Sequence, residues 1–201
     1  MTRFRGTAGS WPYLHSLWSL ALSALLLPAI ACAEETASAQ EYQVKAAFLF
    51  NFAKYGDWPA DALSDAPFDI CLLETPKLTG ILTEKLLGRR LQDREVRVLP
   101  LNTEKFAGCH VLFISAAVSD KRSQLLMASV AKQAVLLVGE SPRFLEDGGA
   151  ISFYVSDGTV HFDVNLDHIR ERGLKISSKL LRHAGKIIGT QELPANTGAT
   201  P

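Results

Sequence analysis

Three cysteines are the most reactive side chains of this 201-residue chain, and what they do depends on where the chain folds. Cys32 closes an N-terminal segment with the marks of an export signal: Arg3 and Arg5, no acid before Glu34, and an apolar run from Leu17 to Leu27. Pro28 breaks the run, and Ala31-Cys32-Ala33 offers small residues to a signal peptidase, so cleavage is expected after Ala33. An uncleaved anchor would want about 20 apolar residues. Ala29-Ile30-Ala31-Cys32 also loosely fits a lipoprotein box, which would leave Cys32 acylated, although Ala29 replaces the favoured leucine. Cleavage leaves Cys71 and Cys109, too far apart for a CxxC redox motif. In an oxidising compartment this pair is predicted to form a structural disulfide, with two buried free thiols as the alternative.

The other reactive side chains do not assemble into a catalytic set. His110, His161, His168 and His183 stand singly, without HxxxH or HExxH spacing, so no metal is expected, and His110 reads as a satisfied strand histidine. No GxGxxG or Walker-type loop appears, which leaves a nucleotide cofactor without a cradle. Ser141 sits between a strand and a helix, but Gly139-Glu140-Ser141-Pro142-Arg143 lacks the second glycine of a nucleophile elbow. Serine before proline reads as a helix start instead. Asp163 and Asn165, two apart in a strand, share a face and could offer oxygen ligands; Asn165 or Asp167 capping a following helix is the plainer reading. Arg89, Arg90, Arg94 and Arg97 form either a solvated basic face or a patch for an anionic ligand or acidic partner.

The elements that position these residues follow from hydrophobic period. Val44, Phe48, Phe52 and Tyr55 predict a helix over 41–56, stopped by Gly56 and Trp58-Pro59, after a flexible leader at 34–40. Strands are predicted at 68–73, 95–101, 109–114 and 134–138, the first and third almost wholly apolar, as in a parallel sheet covered on both faces. Thr75-Pro76, Ser119 and Ser141-Pro142 begin the helices between and after them, and Gly88 ends the first. After Gly148-Gly149 the period becomes two, and Asp157-Gly158 marks a hairpin joining 151–155 to 160–164. A terminal helix is predicted from Ser177, with Leu180, Leu181, Ala184, Ile187 and Ile188 on one face, before a disordered tail at 191–201. The fold class is α/β, flavodoxin/Rossmann-like, three-layered and mostly parallel, with the Cys pair linking the neighbouring first and third strands.

Composition narrows the partners. The chain carries 21 Lys+Arg and 21 Asp+Glu; removing 1–33 takes two arginines and leaves 19 against 21. That slightly acidic balance argues against nucleic acid or anionic lipid as the main partner. Hydrophobic content of 47% requires a folded core, and 41–190 has the length of one domain.

Several ordered blocks resemble one family. They are Val44-Lys45-Ala46-Ala47-Phe48-Leu49 before Trp58-Pro59, Ile70-Cys71, Cys109–Ile114, Gly148-Gly149-Ala150-Ile151-Ser152-Phe153, Phe162–Leu166 and Leu174–Leu181. In this order they look like the YfiR family of periplasmic proteins. The resemblance implies a compact α/β fold, export to the periplasm, dimerisation, and inhibition of an inner-membrane diguanylate cyclase by binding, which lowers cyclic di-GMP and biofilm formation without catalysis. Its signature residues Gly148, Gly149, Phe153, Asn165, Ser177, Ser178 and Leu181 read as structural. Trp58 is either a partner-binding aromatic or a core plug. Members often carry glycine just after the first strand, where this chain has Glu74. A small-molecule-binding or sensor-kinase accessory role is the alternative, since parallel-sheet strand ends commonly hold ligands.

Overall fold

Three short apolar runs organise the sheet. The computed structural model describes residues 27–63, 66–101 and 108–189. In it β2 (Phe68–Leu73), β5 (Val111–Ile114) and β6 (Leu136–Gly139) lie side by side and parallel, with every residue buried. Such strands need cover on both faces. From β2 the chain crosses through α2 (Pro76–Leu86) to β4 (Arg94–Leu101) on one side, and from β5 through α3 (Asp120–Ser129) to β6 on the other. Right-handed crossovers running in opposite directions put α2 and α3 on opposite faces. The long α1 (Leu27–Tyr55) joins α2, whose Lys77 Nζ lies 5.4 Å from the Tyr42 ring centre.

The remaining strands are β3 (Arg90–Leu91), β7 (Ile151–Ser156), β8 (Thr159–Asn165) and β10 (Ile187–Ile188), giving the order β10-β8-β7-β6-β5-β2-β4-β3. Only β7–β8 and β3–β4 pair antiparallel. A separate two-stranded ribbon pairs β1 (Gly56–Asp57) with β9 (Lys175–Ile176). Short helices α4 (Leu166–Glu171) and α5 (Ser178–Leu181) complete the mostly parallel α/β fold.

Local chemistry explains most boundaries. Asp157 and Gly158 both hold positive φ, at 50° and 70°, and join Ser156 to its partner Thr159 as a two-residue turn of the kind that matches strand twist. Gly88, at φ 69°, follows the last residues of α2 as expected. Thr75 and Ser119 stand at their helix starts without side-chain cap bonds, so at α2 it is Pro76, with φ already set, that begins the helix. β4 is nearly an edge strand. Val96 N–H points away from β2, to Arg89 O, so alternation turns Pro100 the same way, where its missing N–H breaks no ladder bond.

Three expectations need correction. Residues 34–40, expected as a flexible leader, lie inside α1, because no glycine or proline interrupts 29–55. The apolar export run lies outside the described residues, as does the tail at 191–201. The segment after Ser141-Pro142 is a series of turns rather than a helix: Phe144 N bonds Ser141 O, Asp147 N bonds Arg143 O, and Gly149 N returns to Phe144 O. Phe144, fully buried, draws the chain inward between Gly139 and Gly149, where any Cβ would come within 2.4 Å and 2.1 Å of its ring.

The terminal helix, finally, is one turn. Beyond α5 the chain crosses to β8, where Gly185 N bonds Phe162 O, Lys186 N bonds Asp163 Oδ1, and Ile187-Ile188 pair parallel with Val164 and Asn165. The open edge of β8 offers backbone groups that an isolated helix could not use. A short apolar run fits either period, so the sequence alone does not separate the two outcomes.

The chain divides into two compact units, one ending at Ala39 and one beginning at Gln40. Of the first, the described part is the opening of α1. In the second, Phe48 and Phe52 of α1 pack at 5.1 and 5.0 Å on Phe162, and Phe52 stacks at 5.6 Å on Phe153. A disulfide joins Cys71 in β2 to Cys109 just before β5, with Cα atoms 5.9 Å apart.

Two stability outcomes follow. The disulfide spans 38 residues, so the Cys71→Ala/Cys109→Ala pair should cost about 4 kcal/mol in the chain-entropy picture and lower Tm by about 10 °C. Non-reducing peptide maps should show the two peptides linked, and a free thiol at either position would contradict the bond. Glu74 holds φ 53°, a strain of about 1 kcal/mol for a residue with a Cβ. Its ion pair with Arg122 is partly solvated, at 38% and 30% side-chain exposure, and is worth at most about 1 kcal/mol. Glu74→Gly should therefore leave urea stability within about 1 kcal/mol of the parent, while Glu74→Val, keeping the strain and losing the pair, should be clearly weaker.

Candidate functional site

At the N-terminal end of the sheet, β2 and β5 exchange bonds through a histidine. His110 N donates to Asp69 O, and Asp69 N donates to His110 Nδ1 at 3.1 Å. The His110 ring stacks on Phe68 at 4.5 Å. Burial lowers its pKa below the ordinary histidine value; the Asp69 charge and a bond to the Ala62 backbone act the other way, and Arg94 adds to the lowering. His110 is thus the satisfied strand histidine that the sequence suggests. Arg97 from β4 grips Asp69 with two bonds of 2.8 and 2.7 Å, which raises the guanidinium pKa further. Asp69, Arg97, His110 and Cys109 line a cavity of about 390 Å³. Of the arginine cluster, then, Arg97 is paired, and Arg90 and Arg94 brace the β3–β4 turn through the carbonyls of Asp93 and Gln92.

At the C-terminal end the key group is Lys45 of α1, only 5% exposed. Its Nζ lies 2.5 Å from both Glu41 and Glu140, and the Glu140 carboxylate also accepts from Ser115 Oγ and Ala116 N. Burial opposes the lysine's charge, but the bonds and charges of the two carboxylates outweigh it and raise the pKa. A lysine held protonated cannot serve as a nucleophile. This cluster ties α1 to the ends of β5 and β6.

The third site lies on the hairpin. Phe153 and Phe162 point toward α1, so Ser152, Tyr154, His161 and Asp163 face the opposite side, where α3 reaches only the middle of the sheet. There the 141–147 turns, β7, β8 and β10 enclose a groove of about 530 Å³. Tyr154, stacked on His161 at 5.4 Å, is 40% exposed, Asp163, Glu140 and Glu146 supply carboxylates, and Lys186 adds a positive charge. The arrangement sets one exposed aromatic ring among side chains of both charges, a surface suited to binding.

Of the residues expected to be structural, Gly148, Gly149 and Asn165 meet at the hairpin root. Gly148, at φ 110°, and Gly149 give their carbonyls to Arg172 Nη2 and His168 Nδ1, at 3.0 and 2.9 Å. Asn165 caps α4 through Asp167 N and His168 N, as the strand-to-helix spacing suggests, and its backbone N bonds Ala150 O. Ser177 caps α5 and bonds Tyr55 O through its own N–H, Ser178 begins that turn, and Leu181 is buried. Phe153 belongs to the core. Asp163 is spent on Lys186 N rather than joined to Asn165 in an oxygen site.

Trp58 requires a correction. It is 5% exposed and packs edge-on against Phe68 at 5.0 Å, a core plug and not a partner-binding surface. Its anchoring at a helix end, between Gly56 and Pro59, turns it inward. Lys45 and Tyr154, which sequence reasoning passed over, carry weak signals: Lys45 falls inside the apolar stripe of α1, four residues after Glu41, and Tyr154 is an aromatic at an outward strand position.

Comparison with known proteins bears on this geometry. No curated protein matches the chain. Among solved structures, the ABC domain in complex with L-Trp from Streptococcus pneumonia is similar at 10% identity and a TM-score of 0.47, over 74% of this chain and 60% of that one. This chain therefore spans three fifths of that protein's length. The YfiR/HmsC-like family profile matches residues 42–185, most of the α/β unit, and the chain belongs to the YfiR/HmsC-like family.

Proposed function

We propose that the protein is a periplasmic regulator that binds the external part of an inner-membrane signalling enzyme, a diguanylate cyclase, and holds it inactive, lowering cyclic di-GMP. The observation that carries this reading is the family match over residues 42–185. The export segment agrees with it, and no helix among the described residues is long and apolar enough to cross a membrane. The inhibitor acts by binding and catalyses nothing. A homodimer suits the same reading.

The hairpin groove is the surface we assign to the partner. Tyr154 is a large aromatic side chain left 40% exposed on this face, which favours burial on association, and aromatic anchors carry much interface energy. Glu146, whose side chain stands largely in solvent at the groove's edge, favours a partner segment bearing lysine or arginine. A second reading, capture of a small solute, is favoured by the groove's concavity and volume, which fall in the range of ligand sites.

Deleting the gene should raise cellular cyclic di-GMP and biofilm mass, and a Tyr154→Glu copy should fail to restore control while keeping the parent Tm. A membrane cyclase should co-purify with the parent protein and be lost with Tyr154→Glu. Unchanged cyclic di-GMP on deletion, with no membrane enzyme retained, would overturn the regulator reading. If a solute present at purification instead shifts Tm and Tyr154→Glu abolishes that shift, solute capture takes its place.

A further inference from the structure

We propose that His110 is an acid switch, in which a proton added at Nδ1 breaks the bond to Asp69 N, loosens the start of β2 from β5, and opens the adjoining cavity onto the disulfide. The argument begins with which atom gives and which accepts. Asp69 N–H can only donate, and it is aimed at His110 Nδ1 from 3.1 Å, so the ring must present a lone pair there. Its other nitrogen is engaged by the Ala62 backbone carbonyl. Both ring positions are therefore committed to the neutral form. An imidazolium would set one N–H against another and leave the amide of Asp69 unpaired, a buried group that costs free energy when unmade.

The surroundings give that proton nowhere better to act. Asp69 from β2 faces the ring, but both of its oxygens already hold Arg97 of β4, and Arg94 of β4 adds a second positive charge nearby. Phe68 covers one face of the ring by stacking and in turn carries Trp58. The turn at Ala60–Ala62 contributes a carbonyl, and Gln133, Ala134 and Val135 line the far wall of the cavity without charge. Moving the ring thus disturbs β2, the 60–62 turn and the Trp58 plug together. Cys109 is the next residue in the chain, 7% exposed on the same cavity of about 390 Å³, whereas Cys71 is wholly buried. Opening at His110 is the short route by which a reagent could reach the sulfurs.

The direction with pH follows from the same contacts. Burial lowers the folded-state pKa of His110 below its unfolded value of 6.5, so the unfolded or opened chain binds the proton first as pH falls. The stabilisation from neutral His110 is complete above about pH 6.5 and is lost as the pH drops from there through the folded value. Within that window opening should rise by up to about tenfold per pH unit, as for one linked proton.

The test uses the purified protein and the phosphine tris(2-carboxyethyl)phosphine, which reduces disulfides in acid. The rate of Cys71–Cys109 reduction should climb between pH 7 and pH 5 in the parent. It should vary far less in His110→Asn, whose amide oxygen can accept from Asp69 N but takes no proton. Equal pH profiles in the two proteins would overturn the switch. Should the variant fold poorly, nitrogen-15 spectra of the parent decide: Asp69 amide exchange should accelerate in step with the His110 ring titration. A ring that titrates without moving the Asp69 amide, or an amide that opens without ring titration, would also overturn it.

Discussion

The structure depends on hiding three parallel strands from water on both faces. β2, β5 and β6 hold residues of which almost none is more than 2% exposed, so helices must cover the sheet on each side, and the crossovers that supply α2 and α3 set the rest of the topology. Burial of that area is the dominant favourable term, at about 25 cal/mol per Å². Its strength falls away outward from the centre. β4 is only partly buried and ends in an edge blunted by Pro100, and β8 fully buries only alternate residues from Val160 to Val164. The groove beside Tyr154 lies in this outer region, between the 141–147 turns, the hairpin and β10.

What could be read from the sequence divides along the same line. Where a segment is buried on both faces or fixed by turn chemistry, local signals suffice: Phe68–Leu73 and Asp157-Gly158 fold as their patterns predict, and the strand expected over 109–114 forms from Val111 to Ile114. The Cys71–Cys109 pairing follows too: β2 and β5 are neighbours, and the chain leading into β5 brings Cys109 to 5.9 Å from Cys71. Where a partner distant in sequence decides, the local pattern misleads. Ile187 and Ile188 look helical beside Leu180 and Leu181, yet the free edge of β8 captures them. Lys45 stands in the apolar stripe of α1 with no local sign of its main partner, and Glu140, 95 residues later, holds it in the interior. Trp58 looks like an exposed aromatic at a helix end, yet the Phe68 ring and the close turn at Gly56 bury it.

The two ends of the sheet use charge differently. At the N-terminal end Asp69 and Arg97 form a neutral pair with one member partly in solvent, beside a histidine that must stay neutral. At the C-terminal end one buried lysine serves two carboxylates. Removing one partner of such a buried group strands a charge and is costly, whereas replacing the whole set with apolar residues can be neutral. These clusters therefore specify where α1 and β4 sit more than they add net stability. The left-handed backbone at Glu74 is a comparable tension beside α3, where the pairing with Arg122 offsets part of the strain and glycine would need no offset.

The hairpin root shows why glycines are needed at positions 148 and 149. Gly148 takes φ 110°, a conformation with a high cost for any side chain, and Gly149 passes so close to Phe144 that a Cβ has no room. Both constraints aim two consecutive carbonyls at α4, where His168 and Arg172 receive them. Arg172 is 7% exposed and bonds carbonyls rather than carboxylates; burial lowers its pKa, and Glu171 acts in the opposite direction. A buried cation held by carbonyl dipoles is stable only while those dipoles point at it, so the two glycines, the Asn165 cap that orients α4, and Arg172 form one unit. A change that turns either carbonyl away would release both the cation and the entry into β7, which places the groove beyond it under the control of backbone geometry at Gly148 and Gly149.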